Sequence, residues 1–337
     1  MLSQGRVVTA RELMQKVVAV SRALPEGRNL INLCEHRDSF LIACCVALVR
    51  GHTNLLPSSR ADGIVEEVAA MNPASYRCDD DFVRAACEKA ASDRAAVGDA
   101  YCAFEMPGDH VAVKAYTSGS TGTPQAHTKL WRSFSRSSAL NAMRMRECLE
   151  PVHGSAQPWI VATVPPQHMY GLETSVLLAL LSDMAVHAGR PLFPAGIATA
   201  LEEVPEPRVL VTTPVHMRAI TASGQRFPPV ALVLSATAPL DASLAKQIAA
   251  YQSAMAAGQK ALSARDTAGA IRHLSTALAV DQELSQGWSV QGRRLRQQLG
   301  RLYTHTGQEQ VKSGAMGAAR ESFKTGVKFE PGNPWAK

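Results

Sequence analysis

The run Tyr116-Thr117-Ser118-Gly119-Ser120-Thr121-Gly122-Thr123-Pro124-Gln125 sets five Ser/Thr hydroxyls around two glycines, directly after an alternating, strand-like segment, Val111 to Ala115. Glycine lets a backbone approach an anion closely and adopt positive φ, while exposed N–H groups and hydroxyls supply neutral donors that converge on phosphate oxygens. The stretch reads as a polyphosphate cradle in preference to a solvated Ser/Thr/Gly linker. It is not a Walker A loop, because the spacing G-x-x-x-x-G-K-[ST] and its lysine are missing.

The same ten residues resemble the phosphate-binding signature of the adenylate-forming superfamily, the AMP-binding acyl-CoA synthetases, aryl-CoA ligases and peptide-synthetase adenylation domains. In that family the loop lies between two strands and closes over the β- and γ-phosphates of ATP. The resemblance therefore assigns nucleotide binding to Thr117, Ser118, Gly119, Ser120, Thr121 and Gly122. Most members carry lysine after the proline where this chain has Gln125, and Lys129 is out of register, so one charge contact to pyrophosphate is in question.

Two further segments resemble the family. Val164-Pro165-Pro166-Gln167-His168-Met169-Tyr170-Gly171-Leu172 matches its second signature, an apolar strand, a proline, and a histidine or aromatic before a glycine. His168 holds the position that gates the carboxylate pocket, where an imidazole can fill space, turn aside for an acyl group and donate a hydrogen bond. A lone histidine after a strand is more often a core residue; the phosphate signature upstream favours the gate. Leu232 to Leu240 is similar to the stretch lining the adenine and acyl pockets, with Ser235, Ala236, Thr237 and Ala238 at the matching positions and Ala236 in place of a common glycine. Thr213-Pro214-Val215-His216 fits the family's strand-to-helix junction without offering chemistry. Tyr170-Gly171-Leu172-Glu173-Thr174 imitates the family's later Tyr-Gly-x-Thr-Glu motif in the wrong order and place. Glu173 is read as an early residue of a helix from Thr174 to Leu181, where a carboxylate favours the dipole.

The first 250 residues alternate short apolar runs with amphipathic stretches, the pattern of α/β layering. Asn29 to Cys34 predicts a strand, Asp38 to Val49 a helix opened by an acidic cap, and Thr53 to Pro57 the next strand, a βαβ unit. Trp159 to Val164, Val209 to Thr213 and Val230 to Ser235 predict three more strands covered on both faces. Thr9-Ala10-Arg11-Glu12-Leu13 predicts a helix start and also resembles the family's opening. From Tyr251 onward the periodicity is helical throughout. Leu299-Gly300-Arg301-Leu302-Tyr303, Gly307, Ala319, Phe323 and Pro331 loosely resemble a tetratricopeptide repeat, with an earlier copy over Gly258, Ala261, Ala270, Leu274 and Ala277. The Gly307 to Ala319 interval is longer than that repeat requires, and a generic helical hairpin fits the same spacing. The fold expected is an incomplete α/β adenylate-forming-like domain over residues 1–248, followed by an all-α, tetratricopeptide-like segment over 249–337.

A chain of 337 residues buries a substantial core and suggests two domains. Residues 1–250 hold 23 Lys/Arg against 23 Asp/Glu and residues 251–337 hold 12 against 6, so the whole excess of +6 lies in the last quarter. Without clustered basic or aromatic-rich motifs, it reads as a solvated helical face and not a nucleic-acid surface. Seven cysteines with no C-x-x-C pair argue against a disulfide framework and a zinc site, so no metal ligands are assigned. No leader is evident and no apolar run approaches about 18 residues, which predicts a cytoplasmic protein without membrane attachment.

What the resemblance implies is a ligase that joins a small carboxylic acid to ATP with Mg2+, giving acyl-AMP and then an acyl group on a coenzyme A or carrier-protein thiol. After Leu240 the family would next supply Tyr-Gly-x-Thr-Glu with its magnesium-contacting glutamate, a ribose-binding aspartate, a hinge and a catalytic lysine. None is found in this sequence, so impaired or absent adenylation by the chain alone is expected. The alternatives are a non-enzymatic interaction module that binds a protein partner through the helical tail, or a fusion or frame-change product.

Overall fold

The computed structural model describes residues 1–92, 105–117, 125–223, 225–238, 242–285 and 290–330. Contacts divide the chain into two compact units. The first comprises Met1–Pro191, Ala200–Thr212 and Val230–Leu234; the second comprises Leu192–Thr199, Thr213–Pro229 and Ser235–Lys337.

The first unit opens with a small antiparallel pair, β1 (Leu2–Ser3) and β2 (Arg6–Val7). Helix α1 (Ala10–Ala23) follows, and its start is set by a capping box: the Thr9 hydroxyl accepts from Glu12 N while the Glu12 carboxylate accepts from Thr9 N. Next come β3 (Asn29–Asn32), α2 (Arg37–Val49) and β4 (Thr53–Leu56), with β3 and β4 parallel as the βαβ reading requires. The helix begins one residue before Asp38, with His36 at the N-cap; Asp38 sits in the first turn and does not cap. It is buried almost all round from Phe40 to Leu48, as a helix inside a layered α/β core must be.

Then follow α3 (Asp62–Met71), β5 (Ser75–Cys78), α4 (Asp80–Ser92), β6 (Val111–Thr117) and β7 (Gln125–Leu130). The five-stranded sheet runs β5-β3-β4-β6-β7, parallel except for the antiparallel β6–β7 pair. Cys34, Cys44, Cys45 and Cys78 are buried free thiols, and burial pushes the Cys44 thiol up to about 12. Cys102 lies outside the described residues.

After α5 (Trp131–His153) the chain forms β8 (Trp159–Ala162), α6 (Met169–Leu172), a π-helical stretch (Glu173–Leu177) and α7 (Leu178–Leu181). These last three form one continuous helical run. It starts at Met169, not Thr174, so Glu173 stands past the first turn, away from the dipole position expected for it. The elements β9 (Ala185–Val186), α8 (Pro194–Glu202), β10 (Arg208–Thr212), α9 (Pro214–Ser223) and β11 (Leu232–Ser235) follow, and the second sheet runs β11-β10-β8-β9. β8 and β11 are each two residues shorter than the apolar runs Trp159 to Val164 and Val230 to Ser235, while β10 keeps the expected length, starting and ending one residue earlier.

The second unit includes α10 (Ala242–Ser263), α11 (Thr267–Ser285), α12 (Val290–Lys312) and α13 (Met316–Phe329). The small residues of the repeat-like pattern lie where helices approach closely. A Cβ on Gly258 would fall 2.6 Å from Leu274, and one on Gly307 would fall 2.8 Å from Phe323. Leu274, Ala277, Leu278, Leu295 and Leu299 form its apolar core, and Tyr303 stacks on Phe329 with ring centroids 5.8 Å apart.

Candidate functional site

The β6–β7 pair brings Thr117 opposite Gln125 and Tyr116 opposite Ala126. The hydroxyl-and-glycine stretch is therefore flanked by two residues that are cross-strand partners. Ser118, Gly119, Ser120, Thr121 and Gly122 lie outside the described residues. Thr117 itself is exposed, with its hydroxyl 3.4 Å from His127 Nε2. The strand below it is pinned: Asn72 Nδ2 donates to the buried Tyr116 hydroxyl at 2.6 Å and to Val68 O at 2.7 Å, while Lys114 Nζ donates to Asn72 Oδ1 at 3.2 Å. Sequence reading missed this anchor, because Asn72 ends α3 and lies 44 residues from Tyr116.

His168 follows β8. The strand closes with Thr163 N donating to Val211 O at 2.9 Å, and the Thr163 and Thr212 hydroxyls meet at 3.0 Å in the interior. Pro165 and Pro166 then turn the chain out of the sheet, and His168 becomes the exposed N-cap of α6, its carbonyl accepting from Leu172 N at 2.8 Å. Gln167 Nε2 donates to Cys34 O at 2.6 Å, joining this connection to the C-terminal end of β3. Gly171 allows α6 to abut the loop, since a Cβ there would lie 1.9 Å from Pro165 O.

Tyr170 donates its hydroxyl to Leu234 O at 2.8 Å. Burial pushes that phenol up to about 12, so it remains a donor at any physiological pH. This bond brings the His168 helix beside the last residues of β11, immediately before Ser235. Ser235 and Ala236 are half-buried, and the Ser235 hydroxyl has no hydrogen-bond partner among the described residues. Thr237 and Ala238 are exposed, and Thr237 sits at φ +79°, a left-handed conformation that a β-branched residue rarely adopts. The structure thus ties the His168 helix to Leu234 through Tyr170. Among the described residues, no side-chain hydrogen bond ties Thr117 to the His168 helix.

The side chain bonded most extensively to the β8 connection is Arg37, on which the sequence reading was silent. It is fully buried, and Nη2 donates to Ala162 O at 3.1 Å and Val164 O at 2.9 Å, while Nη1 donates to the Ser175 hydroxyl. Desolvation first, then the like charge of Arg190, lowers its pKa to about 10, which still leaves it protonated at neutral pH. Among the described residues, no group of three or more His, Cys, Asp or Glu is arranged to hold a metal ion, and no helix is long and apolar enough to cross a membrane.

Comparison with known proteins bears on this geometry directly. The family profile "AMP-binding enzyme" matches residues 33–290, so the chain belongs to that family, within the adenylate-forming superfamily of acyl-CoA synthetases and ligases. It is 35% identical over 115 residues to 4-coumarate–CoA ligase of Halorhodospira halophila, a match covering 33% of this chain and 25% of that protein. Among solved structures it is similar to o-succinylbenzoate CoA synthetase of Bacillus subtilis in complex with an acyl-adenylate intermediate (15% identity, TM-score 0.56, 71% of this chain and 64% of that one). It is also similar to the ATP-bound MatB of Rhodopseudomonas palustris (17%, 0.52, 71% and 51%) and to the amide bond synthetase McbA of Marinactinospora thermotolerans (15%, 0.55, 75% and 54%). These likenesses show the fold. The chain spans a quarter of the curated relative's length and between 51% and 64% of these solved chains.

Proposed function

We propose that this chain is the ATP- and AMP-binding part of an acyl- or aryl-adenylate-forming ligase. The reaction joins a carboxylate to the α-phosphorus of ATP, releasing pyrophosphate, and the acyl group then passes to a thiol of coenzyme A or of a carrier protein. The observation that supports it most is the β6–β7 register, which sets Thr117 and Gln125 on either side of the Ser/Thr/Gly stretch in a chain that belongs to the AMP-binding family. On this reading Thr117 to Gly122 donate to the β- and γ-phosphates, Ser235, Ala236, Thr237 and Ala238 border the adenine and acyl groups, and His168 gates the carboxylate. Magnesium, when bound with ATP, neutralises phosphate charge.

The chain alone is expected to adenylate poorly. Within these 337 residues the glutamate, aspartate and lysine that the family uses to stabilise the transition state are not found, and loss of one such group commonly costs on the order of 10²-fold in rate. Residues 1–248 carry the ligase-like part in this reading, and the tetratricopeptide-like 249–337 segment is an appended surface for a protein partner. ATP–pyrophosphate exchange with fatty and aromatic acids, 4-coumarate and o-succinylbenzoate first, tests it. Robust exchange by the 337-residue chain would refute the expected impairment. Absence of ATP binding by calorimetry would refute the ligase reading itself.

A further inference from the structure

The connection carrying His168 is framed by a closed circuit of bonds. Arg37 Nη2 reaches two carbonyls two residues apart, Ala162 at the end of β8 and Val164 at the start of the connection. Its other terminal nitrogen reaches the Ser175 hydroxyl, which itself donates to Gly171 O at 2.6 Å in the helix that His168 caps. Gly171 in turn abuts Pro165, and Gln167 is tied to Cys34, three residues before Arg37. Both ends of the Pro165 to His168 segment are thus fastened to the stretch from Cys34 to Arg37.

The chemistry of this fastening is uneconomical for mere space filling. A fully buried guanidinium here has three neutral oxygen acceptors, no carboxylate contact among the described residues, and an Nε without a partner. Replacing buried charged groups by well-packed apolar side chains of similar volume is often neutral or stabilising. What only arginine supplies is a planar fork that meets several oxygens in fixed directions, which a lysine ammonium cannot do. The π-helical stretch brings Ser175 into this arrangement, since it is there that the Ser175 and Thr174 hydroxyls turn back to the carbonyls four residues earlier.

We propose that Arg37 is the positioning residue of the His168 gate: its fork fixes the β8 connection, and thereby the place His168 presents to an acyl group. The functional half of this statement rests on the ligase reading above; the clamp itself does not.

The test uses the full chain with Arg37→Met, Arg37→Lys and the milder Ser175→Ala. Amide hydrogen exchange is followed in peptides covering 164–172, with β4 and α12 as references. Arg37→Met and Arg37→Lys are both expected to accelerate exchange over 164–172 at least about tenfold while the reference peptides keep their rates. Ser175→Ala is expected to give a smaller acceleration in the same peptide, which keeps the test decisive if an arginine variant does not fold. Unchanged exchange over 164–172, equal acceleration everywhere, or a wild-type profile in Arg37→Lys would each overturn the clamp. Calorimetry with a non-hydrolysable 4-coumaroyl sulfamoyl-adenosine then reads the gate: at least about tenfold weaker binding by Arg37→Lys supports it. Local acceleration with unchanged affinity overturns the gating role. Failure of the wild-type chain to bind the probe counts against the ligase reading, and the exchange data still decide the clamp.

Discussion

The ends of β6 and β8 are held in different ways. At the end of β6 the fastening stays beneath the strand, where Asn72 holds Tyr116, and the last residue, Thr117, stands exposed with one long contact to His127. At the end of β8 the fastening reaches into the connection itself, through Arg37, Gln167 and the Gly171–Pro165 approach, and leaves one exposed ring, His168. A grip made of backbone N–H groups and hydroxyls needs its strand ends fixed and its own atoms free to meet phosphate. On the proposed reading, a gate at His168 would need the reverse, a fixed frame around one side chain that turns.

The contrast breaks most severely at Gly171. A Cβ placed 1.9 Å from a backbone carbonyl has no flexible neighbour to push aside. Gly171→Ala must displace either α6 or the diproline turn, at a cost of about 3 kcal/mol or more. Urea unfolding followed by circular dichroism measures it. A loss below about 1 kcal/mol would show that the frame is softer than its contacts suggest.

This close approach also marks the limit of what the sequence disclosed. Patterns set by near neighbours were readable: the helix start at Thr9 to Leu13, the β3-α2-β4 unit, and β6 running up to the hydroxyl-rich stretch. The family resemblance placed His168 beyond a strand and its prolines, and Ser235 within a strand and turn. What stayed hidden depends on partners far along the chain. Arg37 meets Ser175 across 138 residues and Val164 across 127, and no local signal in Glu35-His36-Arg37-Asp38 distinguishes a buried fork from a solvated helix start. Glu173 misled for a related reason: local dipole logic put the helix start at Thr174, but the helix starts five residues earlier at Met169, with His168 at the N-cap, and a widened turn passes through Glu173. The short strands β5 and β9 lack an apolar run long enough to announce them.

Tyr116→Phe probes the β6 side with a smaller effect. It removes the oxygen that accepts from Asn72 Nδ2, but that amide keeps its bond to Val68 O at 2.7 Å. The cost is about 1 kcal/mol of stability, read from the urea midpoint. A cost above about 3 kcal/mol would put the β6 anchor on a par with the β8 frame.

Thr237→Gly acts in the other direction. At φ +79° the threonine is strained where the family commonly has small residues, and glycine relieves that strain. A gain of about 0.5–1 kcal/mol is expected, discounted for the extra freedom glycine has in the unfolded chain. A loss on thermal unfolding would mean that the Thr237 side chain makes a contact worth more than its backbone strain.

The smallest change in stability, and the sharpest test of the contrast, belongs to Thr117→Ala. An exposed hydroxyl with one 3.4 Å neighbour contributes almost nothing to folding, so stability should stay within about 0.5 kcal/mol of wild type. If Thr117 opens a phosphate grip, losing its donor should still weaken ATP binding about threefold to tenfold, measured by calorimetry on the same preparation. Affinity lost without stability is the signature of a group held in reserve for a ligand. Stability lost instead would place Thr117 among the anchors, and the two strand ends would then differ in degree and not in kind.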